Sequence, residues 1–88
     1  MKITFDPKKA AANYRKHGIR LSDAEYVLFD PMALTCEDWD AEEEQRFVSI
    51  GMDSIGRILV VVLTYRGDEI RLISARTATA KERECYES

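Results

Sequence analysis

The sequence is poor in the residues that build metal centres and covalent frameworks, with two cysteines and one histidine among 88 residues. Cys36 and Cys85 lie far apart without C-x-x-C spacing, and only His17 stands ready to assist them, which argues against a zinc site. Both read as free thiols of a reducing compartment. Long apolar runs are missing as well. The longest, Ile58 to Leu63, has the length of a buried strand and falls far short of the roughly 18 to 20 residues that span a bilayer. The N-terminus reaches Asp6, Lys8 and Lys9 at once and so offers no apolar stretch of a secretory signal. A cytoplasmic protein without membrane contact is expected.

What is present suits one small globular domain covering residues 1–88: 45% of residues are apolar, too many for a disordered tail, and a chain of this length builds a single core. No internal repeat or low-complexity linker interrupts it. The net charge of −3 speaks against non-specific nucleic-acid binding, but the total conceals an uneven arrangement. Residues 1–20 hold six Lys/Arg and one acid, residues 21–45 hold nine acids and no Lys/Arg, and residues 46–76 hold five Arg and three acids. Two basic segments flank an acidic one.

Lys2 to Phe5 alternates apolar and polar residues and stops at Asp6-Pro7, an N-cap followed by proline at the first helical position. The helix predicted from Pro7 to His17 ends at Gly18. Ser22-Asp23-Ala24-Glu25 matches a capping box and predicts a second helix ending before Asp30-Pro31. Met32 to Thr35 suits a strand and Cys36 to Glu44 an exposed acidic loop, whose Glu42 to Glu44 run is either solvated or a dock for a basic partner. Three strand signals follow, at Arg46 to Gly51, Arg57 to Tyr65 and Glu69 to Ala75, with turns short enough for antiparallel hairpins. Ile58 to Leu63 is apolar on both faces and reads as the central strand. Thr79-Ala80-Lys81-Glu82 is a second capping box, opening a helix that reaches about Tyr86. The order β-α-α-β-β-β-β-α implies an α+β fold, a small antiparallel sheet packed with helices.

Several side chains suit chemistry on a phosphate. Arginine's planar fork matches a phosphate bidentately, so Arg66, Arg71 and Arg76 near strand ends are candidates, although surface arginines paired with Asp68 or Glu69 fit the spacing as well. A regular strand puts Arg71 and Arg76 on opposite faces. His17 is the one imidazole, the side chain that titrates nearest neutral pH; it suits proton transfer, or a helix end whose dipole favours it. Lys9, Asn13 and Lys16 share a helical face beside it, a phosphate surface or a solvated stripe. Glu82 is a cap or a general base. Tyr86, four residues on, offers a phenol or packs on the sheet.

Taken together, Phe5-Asp6-Pro7, Lys9, Asn13, Lys16-His17-Gly18, Asp30-Pro31, Arg46, Ile50-Gly51, Arg57, Arg66, Ile73-Ser74-Ala75-Arg76, Glu82 and Tyr86 resemble the BrnT family of toxins nearly end to end. The resemblance implies a RelE-like fold and a type II toxin-antitoxin system. It further implies a ribonuclease that blocks translation and a cognate antitoxin with a ribbon-helix-helix DNA-binding domain, through which alone the complex reaches operator DNA. Phe5 stands where members often carry Trp, and the acidic net charge departs from the usual basic one, which points to a localised basic site.

Carried over by motif, the candidate catalytic residues are His17, Arg66, Arg76, Glu82 and Tyr86, with Lys9, Lys16 and Arg71 contacting RNA, free or on the ribosome. No cofactor and no metal are expected. The alternative is a binding module that grips RNA or protein without cutting, or a structural subunit of a repressor complex.

Overall fold

Asp6 and Gly18 bracket the first helix where the sequence places its limits. In the computed structural model, which describes residues 2–42 and 44–88, the Asp6 carboxylate accepts the Lys8 N–H at 2.9 Å. Helix α1 spans Pro7–His17 and closes on Gly18, whose φ of 70° lies in the left-handed region that a side chain disfavours. Strand β1, Lys2–Phe5, precedes it. The second helix departs from expectation. It opens at Leu21, with Arg20 as its N-cap and no side-chain cap bond, so the box at Ser22 does not form. After one α-helical turn, α2 (Leu21–Ala24), it tightens into a 3-10 helix over Glu25–Phe29. The reason is packing: Leu21, Ala24 and Val27 are buried at intervals of three, the spacing that a helix of three residues per turn lines up on one side.

Strands β2 (Leu34–Asp38), β3 (Arg46–Met52), β4 (Ile58–Arg66) and β5 (Glu69–Thr77) form an antiparallel meander, and α3 spans Ala80–Glu87. The expected acidic loop is thus strand as far as Asp38, and Glu43 lies outside the described residues. The sheet order is β1-β5-β4-β3-β2, with β1 parallel to β5. The sheet is therefore mixed rather than antiparallel throughout. Alternation over Lys2 to Phe5 reports a strand but not its direction, and its partner lies at the far end of the chain. β4 is central, as its apolar run predicts.

Leu59, Val61 and Leu63 of β4 face α1, α2 and the 3-10 helix and pack with Ile19, Leu21, Ala24 and Val27, while Ile58 and Val60 face the other way, toward Ala78 and toward Tyr86 of the C-terminal helix. Gly51 lets the 3-10 helix lie directly on β3, since a Cβ there would stand 2.9 Å from Val27 Cγ1. Asp53 closes the β3–β4 turn, accepting the Arg57 N–H at 2.9 Å and the Arg57 Nε–H at 2.7 Å. No helix among the described residues is long and apolar enough to cross a membrane.

Two features of β5 position the residues discussed below. Val62 pairs with Ser74 while Leu63 pairs with Leu72, so Ile73 is an extra residue in the ladder, a β-bulge. Past it the alternation is inverted. Arg71 stands opposite Thr64 and Arg76 opposite Val60, positions four apart on β4, so the two arginines share a face rather than lying on opposite ones. In addition, β1 pairs only as far as Leu72, leaving the outer edge of Ala75 without a strand. The Asn13 side chain takes that place: its Nδ2 donates to the carbonyls of Ala75 and Ile19 at 2.9 Å each, and its Oδ1 accepts the Ala75 N–H at 3.0 Å.

Asn13 is thus a buried structural residue and no part of a phosphate-contacting face. Replacing it with alanine leaves a buried N–H and two carbonyls unpaired at about 1–3 kcal/mol each before relaxation. An Asn13→Ala variant is expected to lose about 2–4 kcal/mol of stability by urea denaturation, whereas Ala12→Ser on the exposed side of α1 should change it by less than about 0.5 kcal/mol.

Candidate active site

The C-terminal helix begins with a cap that does two things. Thr79 Oγ1 accepts the Glu82 N–H at 3.2 Å and the Glu82 carboxylate accepts the Thr79 N–H at 2.8 Å, completing the predicted capping box. The same carboxylate takes the Arg76 guanidinium bidentately, at 2.7 Å and 2.8 Å. These hydrogen bonds, Arg76's above all and then the Thr79 N–H, pull the Glu82 pKa down to about 2. Glu82 is a carboxylate at neutral pH and too weak a base to be attractive for proton abstraction. Its effect is to hold the Arg76 fork in one orientation and, in return, to raise the Arg76 pKa.

One turn further on, the Tyr86 hydroxyl donates to Asp30 Oδ2. Asp30 also accepts the Met52 N–H at 2.8 Å on that oxygen and the Met32 N–H at 2.9 Å on the other. The Tyr86 bond, followed by that of Met52, lowers the Asp30 pKa, and the carboxylate in turn raises that of the phenol, keeping Tyr86 protonated. Asp30 therefore joins the 3-10 helix, β3 and α3. The sequence marks it only as a helix end before proline and gives no sign of this second duty.

On the other side of the molecule Lys9, Lys16 and His17 line a shallow cleft with Ala12, Asn13, Ile73 and Ser74. Arg66 is remote from it. It sits at the β4–β5 turn opposite Glu69, with its guanidinium 3.5 Å from Glu44, and six positions of β4 separate it from the level of Arg76, roughly 20 Å. The residues carried over by motif thus fall into three places: the α1 cleft, the Arg76–Glu82 and Tyr86–Asp30 pairs at α3, and Arg66 at the hairpin end.

Arg71 lies along β5 between the levels of Arg66 and Arg76, opposite Thr64. Its Nε is buried without a hydrogen-bond partner, and so is the hydroxyl of Thr4, its neighbour in the β1–β5 register. Register places Ser74 on the same face as Arg71 and Arg76, and Ser74 also borders the cleft below Lys9, Lys16 and His17. Ser74 thus lies between two groups: the cations of α1 border it on one flank, and Arg71 and Arg76 share its face of β5. That arrangement offers cations and hydrogen-bond donors to an extended polyanion. Among the described residues no three His, Cys, Asp or Glu side chains are grouped to hold a metal ion.

The low Glu82 pKa carries a stability consequence of definite sign. A carboxyl bound more tightly as its anion in the folded state stabilises the protein above its ordinary value of 4.5, and this contribution disappears as pH falls toward 2. The gap in urea midpoint between the wild type and Glu82→Gln is expected to be widest above pH 4.5 and to narrow progressively toward pH 2. A gap that stays constant over that range would contradict the ion-pair geometry.

Comparison with known proteins agrees with the resemblance noted in the sequence. A model of the BrnT family, ribonuclease toxins of type II toxin-antitoxin systems, matches residues 5–82. The fold is similar to the crystal structure of the Brucella abortus ribonuclease toxin BrnT, with a TM-score of 0.69 and 28% sequence identity over 90% of this chain and 97% of that one. No curated protein sequence matches. With the family model spanning nearly the whole chain, this α+β protein belongs to the BrnT ribonuclease toxins of type II toxin-antitoxin systems.

Proposed function

We propose that the chain is a metal-independent endoribonuclease whose RNA crosses β5 at Ser74, from the α1 cleft to the face that carries Arg71 and Arg76. The observation that carries this reading is that the bulge sets Arg71, Ser74 and Arg76 on one face of β5, with the Arg76 fork held by Glu82, so that guanidinium donors of one strand face the same way for a phosphate backbone. In the reaction the 2′-oxygen attacks the adjacent phosphorus and loses its proton. The bond from phosphorus to the 5′-oxygen breaks, and that oxygen gains a proton. A 2′,3′-cyclic phosphate and a free 5′-hydroxyl result. Charge accumulates on the non-bridging oxygens, where preorganised guanidinium donors act most strongly.

Within this reading Arg71 and Arg76 contact the phosphate, Lys9 and Lys16 hold the flanking backbone, and His17 transfers protons. Glu82 orients Arg76. Tyr86, whose hydroxyl is engaged with Asp30, anchors α3 and through it the Glu82–Arg76 pair. Arg66 serves as a peripheral RNA contact at the hairpin end. A RelE-like ancestry, inhibition of translation by RNA cleavage in the cytoplasm, and neutralisation by a ribbon-helix-helix antitoxin that alone contacts operator DNA complete the proposal, and family membership supports them.

A second reading is favoured by one specific observation: both candidate groups on α3 are already bonded within the protein, Glu82 to Arg76 and Tyr86 to Asp30. A surface so occupied would grip RNA without cutting it. Incubating antitoxin-free protein with a labelled RNA in EDTA separates the two. Fragments with cyclic phosphate ends are expected from the wild type, with roughly 100-fold slower cleavage by Arg71→Ala and a comparable loss for His17→Ala. Full activity of Arg71→Ala would remove this face of β5 from the mechanism. RNA that is bound but intact, with and without added ribosomes, would establish the binding module.

A further inference from the structure

β2 is the outer strand of the sheet opposite β1, and only its β3 flank is paired. An edge strand turns the N–H and C=O groups of alternate residues outward, and soluble proteins commonly blunt such edges with lysine, proline or a bulge. β2 has no lysine, proline or bulge, and its only charges are the acidic Glu37 and Asp38. It reads Leu-Thr-Cys-Glu-Asp, and its pairs with β3 run from Leu34↔Ile50 to Asp38↔Arg46 without a shift. Large apolar side chains stand at both ends. Met32 before the strand is 66% exposed, Leu34 within it 46%, and Trp39 in the turn directly after it 83%. An indole this bare is the kind of side chain that anchors interfaces.

Charge states what the edge would take. Glu37, Asp38, Asp40 and Glu42 follow one another along it and the adjoining turn; Asp38, Asp40 and Glu42 share one hollow with Arg46. Among the described residues no ion pair engages any of these four carboxylates. A second copy of the chain would bring an edge of the same sign, whereas an extended Lys/Arg-rich segment would answer both the free backbone groups and the carboxylates.

We propose that the β2 edge receives a basic, extended segment of the antitoxin as a sixth strand, with Trp39 packing over its apolar side chains. The inference rests on membership of a toxin-antitoxin family and goes beyond it by assigning the surface. β3 and β4 separate β2 from β5, about 14 Å at the usual strand spacing, so this contact leaves the Arg71 and Arg76 row uncovered. The edge is therefore an anchor, and blocking of RNA falls to the remainder of the antitoxin.

Amide hydrogen exchange on the full-length chain, alone and with its cognate antitoxin, tests the assignment. Outward-facing amides within Leu34–Asp38 are expected to exchange at least roughly tenfold more slowly in the complex. Trp39→Ala and the double variant Asp38→Lys, Asp40→Lys are each expected to weaken the complex roughly tenfold or more while cleaving RNA at the wild-type rate when free. A complex that leaves those amides unprotected, or the absence of any complex, overturns the inference. So does protection that rises with concentration in the antitoxin-free chain, which would assign the edge to a second copy. Should β2 be protected by antitoxin while the free chain cuts no RNA, the docking surface stands and the ribonuclease reading falls.

Discussion

The pairing of the Asn13 side chain with the Ala75 peptide carries more of this structure than any other polar contact. β1 is only four residues long and stops pairing at Leu72, so without a substitute the rest of β5 would present unpaired backbone at a buried edge. An amide side chain supplies the donor and acceptor that a neighbouring strand would have provided. Because Asn13 also holds the Ile19 carbonyl, α1, the turn after it and β5 become one unit. The bulge at Ile73 lies just before this clamp. Apart from Arg66 at the end of β4, everything proposed to touch RNA, from Lys9 and His17 to Arg71 and Arg76, is carried on the elements that this contact joins.

Much of the fold is legible in the sequence because its signals are local. Asp6-Pro7 and Gly18 bracket α1, Thr79 and Glu82 open α3, and the apolar run of Ile58 to Leu63 gives the central strand. What escapes is what depends on distant partners. The parallel pairing of β1 with β5, the 3-10 tightening over Glu25 to Phe29 and the strand within the acidic segment are all decided by packing against the sheet. The candidate site divides in the same way. The residue types are readable, yet a single inserted residue at Ile73 reverses the facing of everything after it, and no pattern of alternation announces a bulge.

Charge shows a related economy of position. A chain of net charge −3 gathers its cations into two separated segments, and the fold brings the Lys and His of α1 beside the Arg-bearing β5. One group of acids, Glu37, Asp38, Asp40 and Glu42, lies at the far side of the sheet, on β2 and the turn that follows. Glu82, by contrast, is an acid kept beside an arginine of β5. It lowers the local positive charge but fixes the direction of one guanidinium, which favours geometry over bulk attraction for an anionic substrate.

The parallel pairing of the first strand with the last has a consequence for how the protein is made. A chain leaving the ribosome N-terminus first must wait for roughly seventy residues before Lys2 can meet Glu69, several seconds at ordinary elongation rates. Through that interval Asn13 has no Ala75 to bond, and the Ile73 and Ser74 wall of the His17 cleft does not yet exist. Most of this toxin is therefore synthesised before the proposed RNA surface can form, and that surface is completed only once β5 has been made.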